Sequence, residues 1–248
     1  MSHPRFFALI IGTEILNRRR QDKHFAFVSE ALARYGHRLS GSFVIEDDPQ
    51  LIIQTLQFIA AQSDTVLLSF GGIGSTPDDY TRQAAATALS NGELYQHEEA
   101  LSIIQERFQG EAIPDYALEM GQFPKDAQIL ENPFNKMPGF SLQDRFFFMP
   151  GFPSMSHPMT EYILQTYFAI QRVTYRYTLT ALCKESQLIE IMKQVPKEVE
   201  LSSLPKFYSD GWKTIISVAS EDQKAAEASF ALFTNALDEM KVYYSLGE

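Results

Sequence analysis

The chain of 248 residues contains a single cysteine, Cys183, so no disulfide can form within it, and a fold stapled by disulfides is excluded. No apolar run reaches the length a membrane-spanning helix needs. The first residues lack the basic region, apolar core and small-residue cleavage site of a secretory leader. These absences predict a soluble, cytoplasmic protein. Basic residues are also scarce: 21 Lys and Arg against 31 Asp and Glu give a formal net charge of −10. That balance argues against a nucleic-acid backbone as partner, although a local site can still oppose the global field and hold a small anion. The five histidines are too scattered for a structural zinc site. There is no Gly-Lys-Ser/Thr after a glycine loop, no GxGxxG and no GxSxG elbow. Internal repeats, low-complexity tracts and long Gly/Ser linkers are missing too. With 45% hydrophobic and 21% charged residues, the composition is that of an ordinary globular chain, long enough for one large domain or two modest ones.

The strongest local signal is in residues 65–86, TVLLSFGGIGSTPDDYTRQAAA. Residues 65–70 form an apolar run of strand length with β-branched and aromatic members. Gly71, Gly72 and Gly74 follow, and glycines there permit φ > 0 and close approach of backbone to a ligand. Thr76 as N-cap, Pro77 at the first helical position and Asp79 three residues after the cap predict a helix over 77–89. A glycine turn between a buried strand and a helix start presents backbone N–H groups and the positive end of the helix dipole. That is a site for phosphate or another anion. Asp78 and Asp79 read in two ways: as holders of a hard divalent cation that bridges to phosphate, or as complements to the helix dipole and its cap.

Strand and helix alternate along the first two thirds of the chain. Residues 5–11 read as a buried strand and 12–20 as a loop. Phe25, Val28, Ala31, Leu32 and Tyr35 recur at helical spacing up to Gly36. Residues 37–45 read as a second strand. Asp47, Asp48 and Pro49 open a helix whose apolar face is Ile52, Ile53, Leu56, Ile59 and Ala60. Such alternation predicts right-handed crossovers and a largely parallel sheet covered on both faces. Ligands of these sheets bind beyond the carboxyl ends of the strands, so residues 12–20 and 71–76 are expected on one rim. Residues 97–125 look helical, broken at Pro114 and Pro124. Residues 129–131 and 145–149 look like paired short strands around a loop, and Pro150-Gly151-Phe152-Pro153 turns into a helix to about residue 170. The pattern then restarts: a strand over 173–183, a helix over 185–195, strands over 199–208 and 212–219 joined at Ser209-Asp210-Gly211, and a helix over 221–240. This β-α-β-β-α unit places a domain boundary near residue 171.

Five stretches carry a family resemblance. GGIGSTPDDYTRQA resembles the TGGxGxTxDDxT signature of the molybdopterin-binding (MoaB/MogA-like) domain, in the form found at the N-terminus of CinA-type competence/damage-inducible proteins. Gly12-Thr13-Glu14-Ile15-Leu16 resembles the family's GDE(I/L)L, and residues 44–49, VIEDDP, resemble its VGDDP. Asn132-Pro133 with Pro138-Gly139-Phe140 resembles NPxGxAPGF, and residues 149–153, MPGFP, resemble LPGVP. The match spans residues 5–170 and keeps the family's order.

The resemblance implies an α/β fold: a three-layer α/β/α molybdopterin-binding-like domain with a mostly parallel sheet over residues 1–171, then a small C-terminal α+β domain over 172–248. The nicotinamide-nucleotide deamidase domain of longer family members is not in the sequence, so that activity is expected to be absent. Two functions are implied. The first is a metal-dependent pyrophosphatase acting on ADP-ribose or a related nucleotide diphosphate. In it Asp78, Asp79 and Glu14 would be catalytic, and Glu14 and Asp79 would hold a divalent cation (Mg²⁺, Mn²⁺ or Co²⁺). The second is a non-hydrolytic module that binds molybdopterin or a nucleotide, linked to molybdenum cofactor biosynthesis, with Phe140 or Phe152 flanking the planar ring. Either reading draws the ligand's phosphates to Gly12, Thr13, Gly71, Gly72, Gly74, Ser75, Thr76, Pro150, Gly151 and Ser154. A third reading is a degenerate, purely interacting member. The expected partners are a small phosphorylated nucleotide or pterin and further copies of the chain in a dimer or trimer, with no nucleic acid and no membrane.

The chain departs from the family at three places. Thr13 stands where relatives have aspartate, Lys23 and His24 where many have Thr-Asn, and Met155 where many have glutamate. Asp22 fits the pattern. His24 is open between metal ligand, general acid/base and plain helix residue. Arg18, Arg19 and Arg20 read as phosphate-facing guanidinium groups or as a solvated loop. Asp47 and Asp48 read as caps or binding residues, Ser154 as a cap or a ligand contact, and Thr81 and Arg82 as weaker candidates.

Overall fold

The apolar runs at 5–11 and 65–70 become strands covered on both faces. β1 (Arg5–Ile11) is buried from Phe6 onward, and the third strand of the chain is buried along its whole length. In chain order β1 is followed by α1 (Thr13–Leu16), α2 (His24–Arg34), β2 (Leu39–Ile45), α3 (Pro49–Ala60), β3 (Thr65–Phe70) and α4 (Thr81–Leu89). Then come β4 (Leu94–Gln96), α5 (Glu98–Phe108), α6 (Asp115–Glu119), β5 (Gln122–Pro124), β6 (Gln128–Leu130), β7 (Gly139–Leu142), β8 (Phe146–Met149) and α7 (Pro153–Tyr167). This computed structural model describes residues 4–108, 110–169, 173–208 and 211–247. The chain divides into two units, Met1–Ile170 and Gln171–Glu248; the boundary expected near residue 171 falls on residues outside those described.

The main sheet of the first unit runs β2-β1-β3-β8-β7-β6. Its first four strands are parallel, and β7 alone is reversed, pairing antiparallel with both β8 and β6. One face carries Phe7, Leu9, Leu67 and Phe148 against Ile52 and Leu56 of α3 and Ala84 and Ala85 of α4. The other carries Ala8, Ile10, Leu68 and Phe70 against Val28 and Leu32 of α2 and Met159 and Ile163 of α7. Burial on both faces is why the strands read as continuous apolar runs. The fold is therefore the expected α/β one with a mostly parallel sheet.

Several local expectations are corrected. The helix predicted from Pro77 begins at Thr81, because the cap residues close a turn of their own: Asp79 N donates to Thr76 O at 2.9 Å and Thr76 N to Asp79 Oδ2 at 2.8 Å. The predicted loop 12–20 contains the short helix α1. Within 94–125, β4 and β5 pair as an antiparallel ribbon beside α5 and α6. Strands β6 and β8 do not pair with each other; β7 lies between them. It brings Phe140 to stack on Phe148 at 4.5 Å between ring centroids. At the start of α2 it is His24 that is buried with Val28, Ala31 and Leu32, while Phe25 is exposed.

The second unit consists of β9 (Tyr175–Ala181), a 3₁₀ turn (Glu185–Gln187), α8 (Ile189–Met192), β10 (Glu200–Tyr208), β11 (Gly211–Ser220), α9 (Gln223–Glu239) and β12 (Tyr244–Leu246). Its sheet runs β10-β11-β9-β12 and is antiparallel throughout. Leu179, Ile216 and Val218 pack under Phe233 and Leu237 of α9. Asp222 caps α9 by accepting from Lys224 N and Ala225 N. The hairpin of β10 and β11 pairs as expected, with Tyr208 opposite Gly211; Ser209 and Asp210 of its expected turn lie outside the described residues. The predicted helix over 185–195 shortens to the 3₁₀ turn and α8, and β12 was not anticipated. Among the described residues no helix is long and apolar enough to cross a membrane.

Candidate functional site

The carboxyl ends of the four parallel strands meet through backbone contacts. Gly12 N, after β1, donates to Ile45 O of β2 at 3.0 Å, and Gly71 N, after β3, donates to Met149 O of β8 at 3.0 Å. Gly71 has φ +105°, and a Cβ there would lie 2.3 Å from Ile11 O; Gly72 has φ +68°, and a Cβ there would lie 2.2 Å from Thr81 Oγ1. Both positions need glycine because the backbone is left-handed and the space is filled. The loops after the first and third strands therefore share a rim, as the strand order demands, and Gly151 joins them: a Cβ on it would stand 3.2 Å from Gly71 Cα.

Thr81 and Arg82 fix the glycine loop from α4. Thr81 N donates to Gly72 O at 2.9 Å, and its hydroxyl donates to Gly71 O at 2.9 Å. Arg82 is buried. Its guanidinium donates to Gly74 O at 2.6 Å, to Gln122 O at 3.3 Å and to Glu119 O. Burial pulls the Arg82 pKa below its ordinary value, while the charges of Asp79 and Glu119 oppose that shift. Arg82, read from the sequence as a weaker candidate, is thus the tie between the glycine loop and the α6–β5 segment. With these bonds made, the amides of Gly72, Ile73, Gly74 and Ser75 donate to no acceptor among the described residues.

The carboxylates around this loop already have partners. The Thr76 hydroxyl lies 2.5 Å from Asp78 Oδ1 and 2.6 Å from Asp79 Oδ2, so its one proton is shared between two acids. The bond to Thr76 holds the Asp78 carboxyl below its ordinary pKa. Glu14, on α1, pairs with Arg20 at 3.7 Å, and the Arg20 guanidinium lies over the Phe152 ring at 5.0 Å. Asp47 bonds Thr13, whereas Asp48 is the cap of α3, accepting from Leu51 N at 2.7 Å. Glu14 and Asp79, the expected metal pair, are thus each engaged by the protein. Among the described residues no three His, Cys, Asp or Glu side chains converge on a common point, so the donor set does not form a metal cage.

Other candidates resolve plainly. Asp22 caps α2 by accepting from His24 N at 2.8 Å and Phe25 N at 3.2 Å. His24 packs its ring on Phe70 at 4.5 Å and places Nε2 3.3 Å from Gly151 O. Burial lowers its pKa, against the Gly151 carbonyl and Asp22, which raise it. His157 stacks on Phe27 at 3.7 Å, and burial, then His24, lowers it to about 4. His24 is a packing residue beside the rim. Of the two rings expected to flank a planar ligand, Phe140 is fully buried and Phe152 is 56% exposed, so only Phe152 reaches the rim. Ser154 is exposed and does not cap α7, whose N-cap is Phe152. Pro150 and Gly151 lead from β8 into that helix start.

Residues 7–169 match the family described as probable molybdopterin binding domain. A CinA-like protein of Citrifermentans bemidjiense is 33% identical over 63% of this chain and 39% of its own length. A CinA-like protein of Kosmotoga olearia is 26% identical over 96% of this chain and 60% of its own length, so that likeness runs through both units. The chain spans less than two thirds of the length of these relatives. A crystal structure of the protein CinA, with unknown function, from Thermoplasma acidophilum superposes with a TM-score of 0.60 at 26% identity, over 66% of this chain and 98% of that one. The chain belongs to the probable molybdopterin binding domain family, in its CinA-like branch.

Proposed function

We propose that the first unit binds a small phosphorylated pterin of the molybdopterin type, or a related nucleotide. The phosphate sits on the backbone amides of the glycine loop. The observation that carries this reading is the set of four successive amides, Gly72 to Ser75, without an acceptor among the described residues. Consecutive outward N–H groups form an anion-binding concavity. Arg82 adds a buried positive charge on the carbonyl side of the loop through its bond to Gly74 O. The exposed Phe152 ring beside Arg20 offers a planar ligand a face at the same rim. Calorimetric titration with a phosphorylated pterin, its dephosphorylated form and inorganic phosphate tests the reading. The expected result is affinity that depends on the phosphate and is lost in Gly74→Ala. Equal affinity for both pterins removes the proposed role of the loop.

A second reading, a metal-dependent pyrophosphatase acting on ADP-ribose, rests on Asp78 and Asp79 sharing one hydroxyl. Two adjacent acids can hold a hard cation completed by water and substrate oxygens. AMP release from ADP-ribose with Mg²⁺, Mn²⁺ or Co²⁺, abolished in Asp79→Ala, would establish it. No release by folded protein at saturating metal leaves binding alone.

A further inference from the structure

We propose that His24 is the positioning residue of the Gly151–Phe152 turn and that only its neutral form holds the turn, so that acid loosens the ring face of the rim. The consequence for ligands rests on the pterin reading above; the tether itself does not.

The turn is held from two sides. On one, Gly151 stands against Gly71, where a Cβ would come within 3.2 Å of the Gly71 Cα. On the other, His24 Nε2 lies 3.3 Å from Gly151 O. A carbonyl only accepts, so Nε2 carries the ring proton and donates. The next residue, Phe152, places its ring under the Arg20 guanidinium. Its carbonyl accepts from Met155 N at 2.9 Å and from Ser156 N at 3.0 Å, at the start of α7. The bond from His24 therefore enters where the Phe152 ring and the helix start are both set.

With Nε2 donating, the neutral ring leaves Nδ1 as a bare acceptor. Nδ1 is buried without a hydrogen-bond partner, and the residue is 3% exposed. Protonation would put an N–H and a full charge there with no acceptor to meet them. Asp22, in the segment before α2, turns its two oxygens to the amides of His24 and Phe25. Arg20, from the same segment, adds a second positive charge. From α7, His157 meets the His24 ring edge-on at 5.4 Å; from β3, the uncharged Phe70 stacks on it at 4.5 Å. His24 is also the first residue of α2, where the helix dipole opposes a cation. Burial is the largest influence on its pKa and lowers it from 6.5, against the Gly151 carbonyl and Asp22. The cation is relieved when the ring leaves its place on Phe70, and that takes the donor from Gly151 O.

Amide hydrogen exchange of the full chain at pH about 7 and about 5, on either side of the ordinary histidine value, reads the tether without any ligand. After correction for intrinsic rates, protection of the Met155 and Ser156 amides is expected to fall about tenfold further than that of the β3 amides. His24→Gln keeps an amide donor for Gly151 O and cannot titrate, so this extra fall should vanish. His24→Phe keeps a ring on Phe70 and removes the donor, so the turn should be loose already at neutral pH. Wild-type protection that follows β3 at both pH values, an equal extra fall in His24→Gln, or full protection in His24→Phe overturns the proposal. In calorimetry a phosphorylated pterin should lose about tenfold in affinity relative to inorganic phosphate over the same pH step, in wild type and not in His24→Gln. A chain whose turn loosens in acid but which binds no pterin at neutral pH refutes the ligand reading and supports the tether.

Discussion

Thr13 and Asp47 hold each other across the ends of β1 and β2. The Thr13 amide and hydroxyl both donate to Asp47 Oδ2, at 2.7 and 2.8 Å, and the Asp47 amide lies 3.1 Å from Thr13 Oγ1. In the related family an aspartate usually stands at the position of Thr13. Here the acid contributed by the loop after β2 meets a neutral donor rather than a second carboxylate, which gives the departure a structural meaning.

Thr13→Val keeps the amide bond and removes the hydroxyl, with an expected loss of about 1 kcal/mol in urea unfolding. Thr13→Asp sets two carboxylates together and raises the folded pKa of the pair. Its stability deficit should be larger near neutral pH, at about 7, than near about 4, where one acid is protonated. A Thr13→Asp protein as stable as wild type at neutral pH contradicts the pairing.

The glycines of the loop should separate into two kinds. Gly71→Ala forces a left-handed backbone at φ +105° and a Cβ 2.3 Å from Ile11 O, so thermal stability falls, by about 1–3 kcal/mol for the backbone strain alone. Gly74→Ala meets Asp79 Oδ2 at 2.6 Å, the far end of a half-buried side chain. It is expected to fold normally and to lose ligand affinity. Equal thermal stability of the two variants would refute this division.

Arg82→Met leaves the carbonyls of Gly74, Glu119 and Gln122 without their donor. A fully buried unsatisfied carbonyl costs about 1–3 kcal/mol; these bonds are part-buried, so each costs less, and the denaturant midpoint should still drop. Arg82→Lys, with one compact ammonium in place of the planar fork, should recover only part of that loss. Full recovery by lysine would mean that charge alone matters here.

His157 gives the fold an acid-sensitive limb. Its pKa is lowered from 6.5 to about 4 by burial first and by His24 second, against Asp22, and that of His24 moves the same way. The unfolded chain therefore binds a proton that the folded chain refuses. Stability should decline as pH falls from about 6.5 to about 4 and level off below. His157→Phe keeps the stacking partner for Phe27 and should flatten that decline in thermal melts. An unchanged slope would assign the acid sensitivity elsewhere.

Binding through Phe152 can be separated from binding through the loop. Phe152→Ala should weaken a phosphorylated pterin by about tenfold, the order of 1.4 kcal/mol, and leave inorganic phosphate unaffected. Parallel calorimetric titrations distinguish the two ligands, and an equal loss for both would place the ring elsewhere.

The strands and their glycine exits were legible because burial on both faces leaves an unbroken apolar run, and Gly71 and Gly72 sit where that run must turn. The start of α4 was not, since Thr76, Pro77 and Asp79 satisfy the local rule for a helix cap and for a closed turn equally. Only the Thr81 N to Gly72 O bond, between positions nine residues apart, decides between them. β7 was hidden because Pro138 and Gly139 read as loop punctuation, while its pairing to β8 is set by Phe140 against Phe148. Helical spacing alone tolerates a shift of one residue, and so Phe25 was expected inward where His24 lies. Arg82 carried only a weak sequence signal, its place one turn after the aspartates, because its partners are carbonyls, which every residue has.

The pairing of β3 with β8 joins Leu67 to Phe146, and the hydrogen bond from Gly71 to Met149 closes the floor of the site. This contact spans much of the unit's sequence, and such long-range pairings are slow to form. During synthesis β1, β2 and β3 leave the ribosome first, with one flank of β3 still without its partner strand. The glycine-loop rim is therefore completed late in translation, and nascent chains cut short before β8 should expose that flank to chaperones or to one another.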